Sequence, residues 1–249
     1  MGKNKLKKFA ELETLPFVLQ YPRERIISEG FPFKGEWKSK LFPLGGPLVL
    51  ELGCGKGEYT VALAKNNPDS NFVGVDIKGA RLWSGAKEVE KSGLGNAFFL
   101  RTEIENISQF FEPGEIDEIW ITFPDPQMQK VRKRLTSTGF IKRYRQILKP
   151  DGIIHLKTDS PFLYEYTNRV IAENNFEVIR NTDDLYGSGM ADPVDSIKTY
   201  YETQWLARGK KIKMISFKPG PASKGDLQEP QADDIPKDDY RAYPRHNFK

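Results

Sequence analysis

Between Gly46 and Phe217 the chain repeats one pattern: a short apolar run, a turn signal, and a longer stretch with apolar residues at three- and four-residue spacing. A short apolar run bounded by turn residues fits a strand buried on both faces, and the longer stretches fit helices that cover it. Such alternation folds as βαβ units around a mostly parallel sheet, an α/β architecture. The runs at 47–52 (PLVLEL), 71–76, 97–102, 115–123, 152–158, 176–181 and 211–217 predict seven strands. Helices are predicted over Glu58–Lys65, Ala80–Lys91, Ser137–Leu148 and Pro161–Glu173.

The same pattern sets the domain organisation. Residues 46–217 form one domain, and 1–45 are a basic N-terminal extension expected to pack on or near it. From Lys218 to Lys249 there are five prolines and almost no aliphatic residues, too little apolar surface to offset the entropy of ordering. That stretch is expected to be a flexible tail. Its last residues mix Arg, Tyr, His and Phe, a composition open to a docking role.

A single cysteine, Cys54, excludes an intrachain disulfide, and with only His155 and His246 beside it a Cys/His zinc site is not expected. No metal is therefore predicted, and a reducing cytoplasm fits. Nowhere does an apolar run approach the length of a membrane span, and no secretory h-region follows the basic start. The net charge of +4 is mild, so the placement of charge matters more than its total. No obligate protein partner is evident.

The first predicted strand runs into "LELGCGKGEYT", with Gly53, Gly55 and Gly57 directly before a helix. Structural turns, dinucleotides, phosphates and nucleosides all use such loops. Glu51 before the loop and Glu58 at the helix start decide among the ligands, since a carboxylate there repels a pyrophosphate. A ligand with a cationic group and an adenosine fits better, and S-adenosylmethionine (SAM) is one. Asp76 closes the second strand where a carboxylate accepts from ribose hydroxyls, and Glu103 follows the third within reach of an adenine edge. Cys54 inside the loop has no histidine nearby in sequence and reads as a small filler rather than a nucleophile.

The fourth strand ends in "TFPDPQ", where Pro124 and Pro126 hold Asp125 on a stiff turn. The run "KVRKRLTSTGFIKRYR" follows at once, with seven Lys or Arg, no acid, and the aromatics Phe140 and Tyr144. A cationic run beside the proposed cofactor edge predicts a nucleic-acid track, with Arg132 and Arg134 on the phosphates.

Together "LELGCGKG", "FVGVDIKGARLW", "FPDP" before a basic run, "LKPDGIIHLKTD" and "TYYETQWLARG" resemble the bacterial tRNA (guanine-N7)-methyltransferases, the TrmB family, over about residues 45 to 215. The resemblance implies a Rossmann-like class I methyltransferase fold with helices on both faces of the sheet, SAM as methyl donor and tRNA as substrate. It places Glu51, Asp76, Glu103 and Asp125 in the SAM site, with Asp125 also as catalytic residue. Lys130, Asp159 and the segment from Thr199 to Glu202 correspond to substrate-binding positions. Gln127 and Gln129 depart from the family pattern, where Trp and Lys are common. The alternatives are an amino-group methyltransferase acting on RNA, and a non-catalytic RNA-binding subunit that keeps the fold.

Overall fold

The apolar runs pair into one sheet of eight strands rather than seven. The structure is a computed structural model that describes residues 3–21, 23–42 and 45–239. Helix α1 (Lys3–Thr14), strand β1 (Val18–Gln20), and helices α2 (Arg23–Glu29) and α3 (Trp37–Lys40) come first. The alternating part follows as β2 (Leu48–Leu52), α4 (Glu58–Asn66), β3 (Asn71–Val75), α5 (Gly79–Ser92), β4 (Ala97–Arg101), β5 (Ile116–Thr122), α6 (Thr138–Tyr144), β6 (Leu148–Thr158), α7 (Pro161–Glu173), β7 (Glu177–Thr182), α8 (Tyr200–Ala207) and β8 (Lys213–Lys218).

The spatial order is β1-β4-β3-β2-β5-β6-β8-β7. Pairing is parallel from β1 through β6, and antiparallel at β6/β8 and β8/β7. The additional strand comes from the N-terminal extension, where Val18 pairs with Phe99 and Gln20 with Arg101. Three residues are too few to display a periodicity, so this strand is invisible as a pattern.

Alternation along each strand sorts the core onto two faces. Leu48, Leu50, Ile119, Ile121, Ile154 and Leu156 pack against Phe140, Tyr144, Phe162 and Tyr166 of α6 and α7. On the opposite face Val49, Trp120 and Met214 meet Tyr59, Leu63, Leu82 and Val89 of α4 and α5, with Leu12 of α1. By the same parity Glu51, Thr122 and Lys157, near the carboxyl ends of β2, β5 and β6, share this second face. Each fully buried leucine or isoleucine contributes about 1.5–3 kcal/mol, enough for the sheet to carry these polar ends.

Two expectations change. Helix α6 stops at Tyr144 because β6 begins early, at Leu148. The expected flexible tail is instead docked through residue 239: Ile235 and Asp238 are buried, and Glu229 accepts from Thr138 and Tyr166. Hydrogen-bonded carboxylates fasten it together with a few apolar side chains, Leu227, Ala232 and Ile235, that pack on the core. The mixed residues from Arg241 to Lys249, His246 among them, lie outside the described residues.

Candidate active site

From β2 the strands β3, β4 and β1 extend to one side, and from β5 the strands β6, β8 and β7 extend to the other. The crevice at the carboxyl ends of such a neighbouring pair is where open α/β sheets take ligands. The glycine loop leaves β2 there and the Phe123–Gln127 turn leaves β5.

Gly55 sits at φ +58°, and a Cβ built on it would meet nothing closer than the Gly53 carbonyl at 4.0 Å. Its left-handed backbone and the open space above it suit a ligand that approaches the main chain. Gly57, at φ +71°, serves packing: a Cβ there would lie 2.5 Å from the Phe99 ring. The Gly53 and Cys54 amides donate to Val75 O, which ties the loop to β3. Cys54 is buried, and that burial pushes its thiol up, away from the thiolate a nucleophile needs.

Glu51 is buried beneath the loop. Its Oε2 accepts from the Thr60 amide (2.8 Å) and hydroxyl, and its Oε1 accepts from Thr122 Oγ1 (2.6 Å). Burial raises its carboxyl to about 7, with the two threonines working against the shift. Asp76 is pinned by backbone: Gly55 N donates to Oδ2 (3.0 Å) and Lys78 N to Oδ1 (2.7 Å). Each oxygen keeps a lone pair for a diol. Glu103 is exposed at the start of the 3₁₀ turn Ile104–Gln109. It lines a cavity of about 810 Å³ with Ile77, Thr102 and Asn106, to which Gln20 and Tyr21 of the N-terminal part also contribute.

The turn after β5 is strained. Phe123 and Gln127 both hold φ +47°, a left-handed conformation that costs a non-glycine residue about 1–3 kcal/mol. Asp125 is exposed between them, and its Oδ1 accepts from the Gln127 amide at 3.0 Å. Arg134 supplies the compensation: it donates to the carbonyls of Pro126, Gln127 and Met128 at 3.1, 3.0 and 3.3 Å. Its guanidinium lies 3.9 Å from the Tyr166 ring centroid and 4.8 Å from that of Phe162.

Arg134 is therefore not a phosphate contact, since it is only 1% exposed. Phe140 and Tyr144 are core residues, and Arg145 is buried on the carbonyls of Pro219 and Gly225. Lys130 and Arg132 are exposed, as a track requires, while Lys133 pairs with Glu105 at 2.6 Å. Leu135, in the same run, reaches the glycine loop: a Cβ on Gly53 would lie 3.9 Å from its Cδ1.

Glu202 is the second correction to the substrate side. It is fully buried and forms an ion pair with Lys157 at 3.0 Å, also accepting from Tyr186. Thr199 caps α8 by accepting from the Glu202 amide (3.2 Å), so the Thr-x-x-Glu spacing builds a helix start whose acid turns inward. Tyr200 donates its amide to Glu58 at 2.8 Å, which seats α8 beside the glycine loop. Asp159 is buried at the end of β6, next to Ser160, the cap of α7. Sequence reasoning missed Thr60, which meets Glu51 across the glycine loop, and Thr122, Lys157 and Asp238, whose partners are distant along the chain. Among the described residues no cluster of acids, histidines and cysteine is placed to hold a metal, and no helix is long and apolar enough to cross a membrane.

Comparison with known proteins adds the family. The family model described as "Putative methyltransferase" matches residues 45–215. A tRNA (guanine-N(7)-)-methyltransferase of Bacteroides thetaiotaomicron is 54% identical over 98% of this chain and 96% of its own. Its namesakes in Porphyromonas gingivalis and Christiangramia forsetii are 52% and 48% identical, over 94% and 87% of this chain and 96% and 98% of theirs. Two solved structures share the fold. The 16S rRNA methyltransferase KamB (TM-score 0.53, 16% identity) covers 70% of this chain and 88% of its own. An antibiotic-related methyltransferase (TM-score 0.51, 18% identity) covers 69% and 86%. At such identities the likeness speaks for the fold alone.

Proposed function

The chain belongs to this methyltransferase family, alongside the bacterial tRNA (guanine-N7)-methyltransferases, and from that premise we propose that it transfers a methyl group from SAM to N7 of a guanosine in the variable loop of tRNA. The observation that carries the reading is the pairing, across the β2/β5 crevice, of an open glycine loop with a carboxylate on a braced turn. A methyl donor seated on the first faces an acceptor guided to the second.

The residues fit the cofactor. Open space above Gly55 takes the amino-acid end, Asp76 keeps lone pairs for the ribose, and the cavity beside Ile77 and Glu103 takes a purine. Glu51 shapes the floor of this pocket through Thr60 and Thr122 and retains one lone pair on Oε1. Bound there, SAM supplies an electrophilic methyl group on a cationic sulfur.

Guanine N7 attacks with a ring lone pair, so no proton must leave first and no strong base is needed. Alignment carries most of the acceleration, since positioning of this kind is worth roughly 7–11 kcal/mol. Asp125 faces the positive charge that develops on the methylated purine; at about 4 Å and an effective dielectric near 20 such a pair interacts by roughly 4 kcal/mol. Asp159 adds negative potential from the neighbouring strand end. Lys130 and Arg132 hold phosphate on the exposed side of the same loop.

Incubation of the protein with tritiated SAM and unmodified tRNA, followed by nucleoside analysis, tests the proposal. Label in N7-methylguanosine is the expected result. Label on an exocyclic nitrogen, or none despite SAM binding, would overturn it.

A further inference from the structure

The segment from Asp226 to Asp239 crosses α6 and α7 and ends beside the two substrate-side loops. Asp238, 5% exposed, accepts from the Phe162 amide at 3.1 Å and from the Ser160 hydroxyl. Those groups open α7, directly after Asp159. The Asp238 amide in turn meets Met128 Sδ at 3.2 Å, in the turn that carries Asp125.

Glu229 grips the same helix one turn further on. It accepts from Tyr166 through one oxygen, and from the Thr138 amide (3.0 Å) and hydroxyl (2.6 Å) through the other. Phe162 and Tyr166, thus held at amide and hydroxyl, are the two rings that flank Arg134. Arg134 holds the carbonyls that follow Asp125. A continuous set of contacts therefore runs from the segment, through α7 and Arg134, to both acid-bearing loops.

We propose that this C-terminal strap is a positioning device for methyl transfer, in which Asp238 and Glu229 hold the Asp125 and Asp159 loops in fixed relation. The proposal rests on the reaction assigned above. An acid suits the task because a carboxylate compensates the positive start of α7 while satisfying an amide that the helix leaves open, that of Phe162. The strained Phe123 and Gln127 need such bracing, for a left-handed non-glycine residue persists only where its surroundings over-determine it. The cofactor-side loop is held separately, by Val75 O and Asp76. Loosening the strap should therefore disturb the acceptor edge while sparing the donor pocket.

The test uses the full-length chain with Asp238→Ala, Asp238→Asn and Asp234→Asn. Asp234 pairs with Arg169 at 2.6 Å on the exposed side of the strap and serves as the control. In Asp238→Ala, amide exchange over 123–130 and 159–163 should accelerate about tenfold, with the glycine loop unchanged. Single-turnover methyl transfer at saturating SAM and tRNA should slow by roughly 100-fold with SAM affinity retained, the scale of loss that a small misplacement causes. Asp238→Asn, which can still accept from the Phe162 amide, should recover most of the rate, and Asp234→Asn should match wild type. Unchanged exchange at both loops in folded Asp238→Ala overturns the proposal, as does a fall in SAM affinity as large as the fall in rate. Absence of N7-methylguanosine from the wild-type reaction would instead sink the reaction itself, while the exchange data would still judge the strap.

Discussion

Lys157 Nζ lies 3.0 Å from the Glu202 carboxylate, and neither side chain is exposed to solvent. The ammonium also donates to the carbonyls of Asp195 and Ile197 at 3.2 and 3.1 Å, and Asp195 pairs with Arg180 at 2.6 Å. One buried network thus ties the connection between β7 and β8 to the end of β6. Burial draws the Lys157 ammonium's pKa down, against the pull of Glu202.

Removing one partner from such a pair strands the other. Glu202→Ala should cost about 3–5 kcal/mol of stability by urea unfolding, whereas the double change Lys157→Met with Glu202→Leu should lose much less. Equal losses in the two proteins would mean that the ion pair is not what makes Glu202 costly to remove.

Glu51 makes stability depend on pH in the direction opposite to a paired surface acid. Its folded carboxyl titrates near 7, above its unfolded value of 4.5, so the folded state prefers the protonated form. Its contribution is fully present below pH 4.5 and is lost as pH rises through about 7, a change of roughly 3 kcal/mol. Unfolding free energies of wild type and Glu51→Gln, measured from pH 4 to 8, should diverge by that amount across the window. A constant difference between the two curves would place the titration of Glu51 elsewhere.

The parts of the molecule that a reader of the sequence recovers are the local ones. Strands β2 to β6, the glycine loop and the stiff Asp125 turn each announce themselves within a few residues, through alternation, glycine spacing or flanking prolines. What escapes is decided by partners far along the chain. Arg134 looks like Arg132 in a charge run, yet the rings that bury it lie on α7. Glu202 stands out by spacing, but its inward turn follows from Lys157, 45 positions earlier. The strap misleads composition because its anchors are carboxylates that accept buried hydrogen bonds, and apolar content does not register them.

Asp125→Asn keeps the shape of the turn, since an amide oxygen can still accept from Gln127 N. What it removes is the charge proposed to face the developing cation. Turnover at saturating SAM and tRNA should fall by about 100-fold, comparable to the loss of one transition-state contact elsewhere, with the melting temperature unchanged. Near-wild-type turnover would exclude an electrostatic role for this carboxylate.

Arg132 and Arg134 sit two residues apart and should answer different experiments. Arg132 is exposed, so Arg132→Ala should weaken tRNA binding and lower the slope of log affinity against log salt by about one, the signature of a lost phosphate contact. Arg134 is buried beneath Asp125, with three carbonyls on its guanidinium. Arg134→Ala leaves those carbonyls unpaired and the strained turn unsupported, which should lower stability by about 3 kcal/mol or more and slow turnover while leaving the salt slope unchanged. The two measurements separate cleanly: a salt slope reduced by Arg134→Ala would put that guanidinium on the RNA after all, and one untouched by Arg132→Ala would remove the exposed face of the loop from the substrate track.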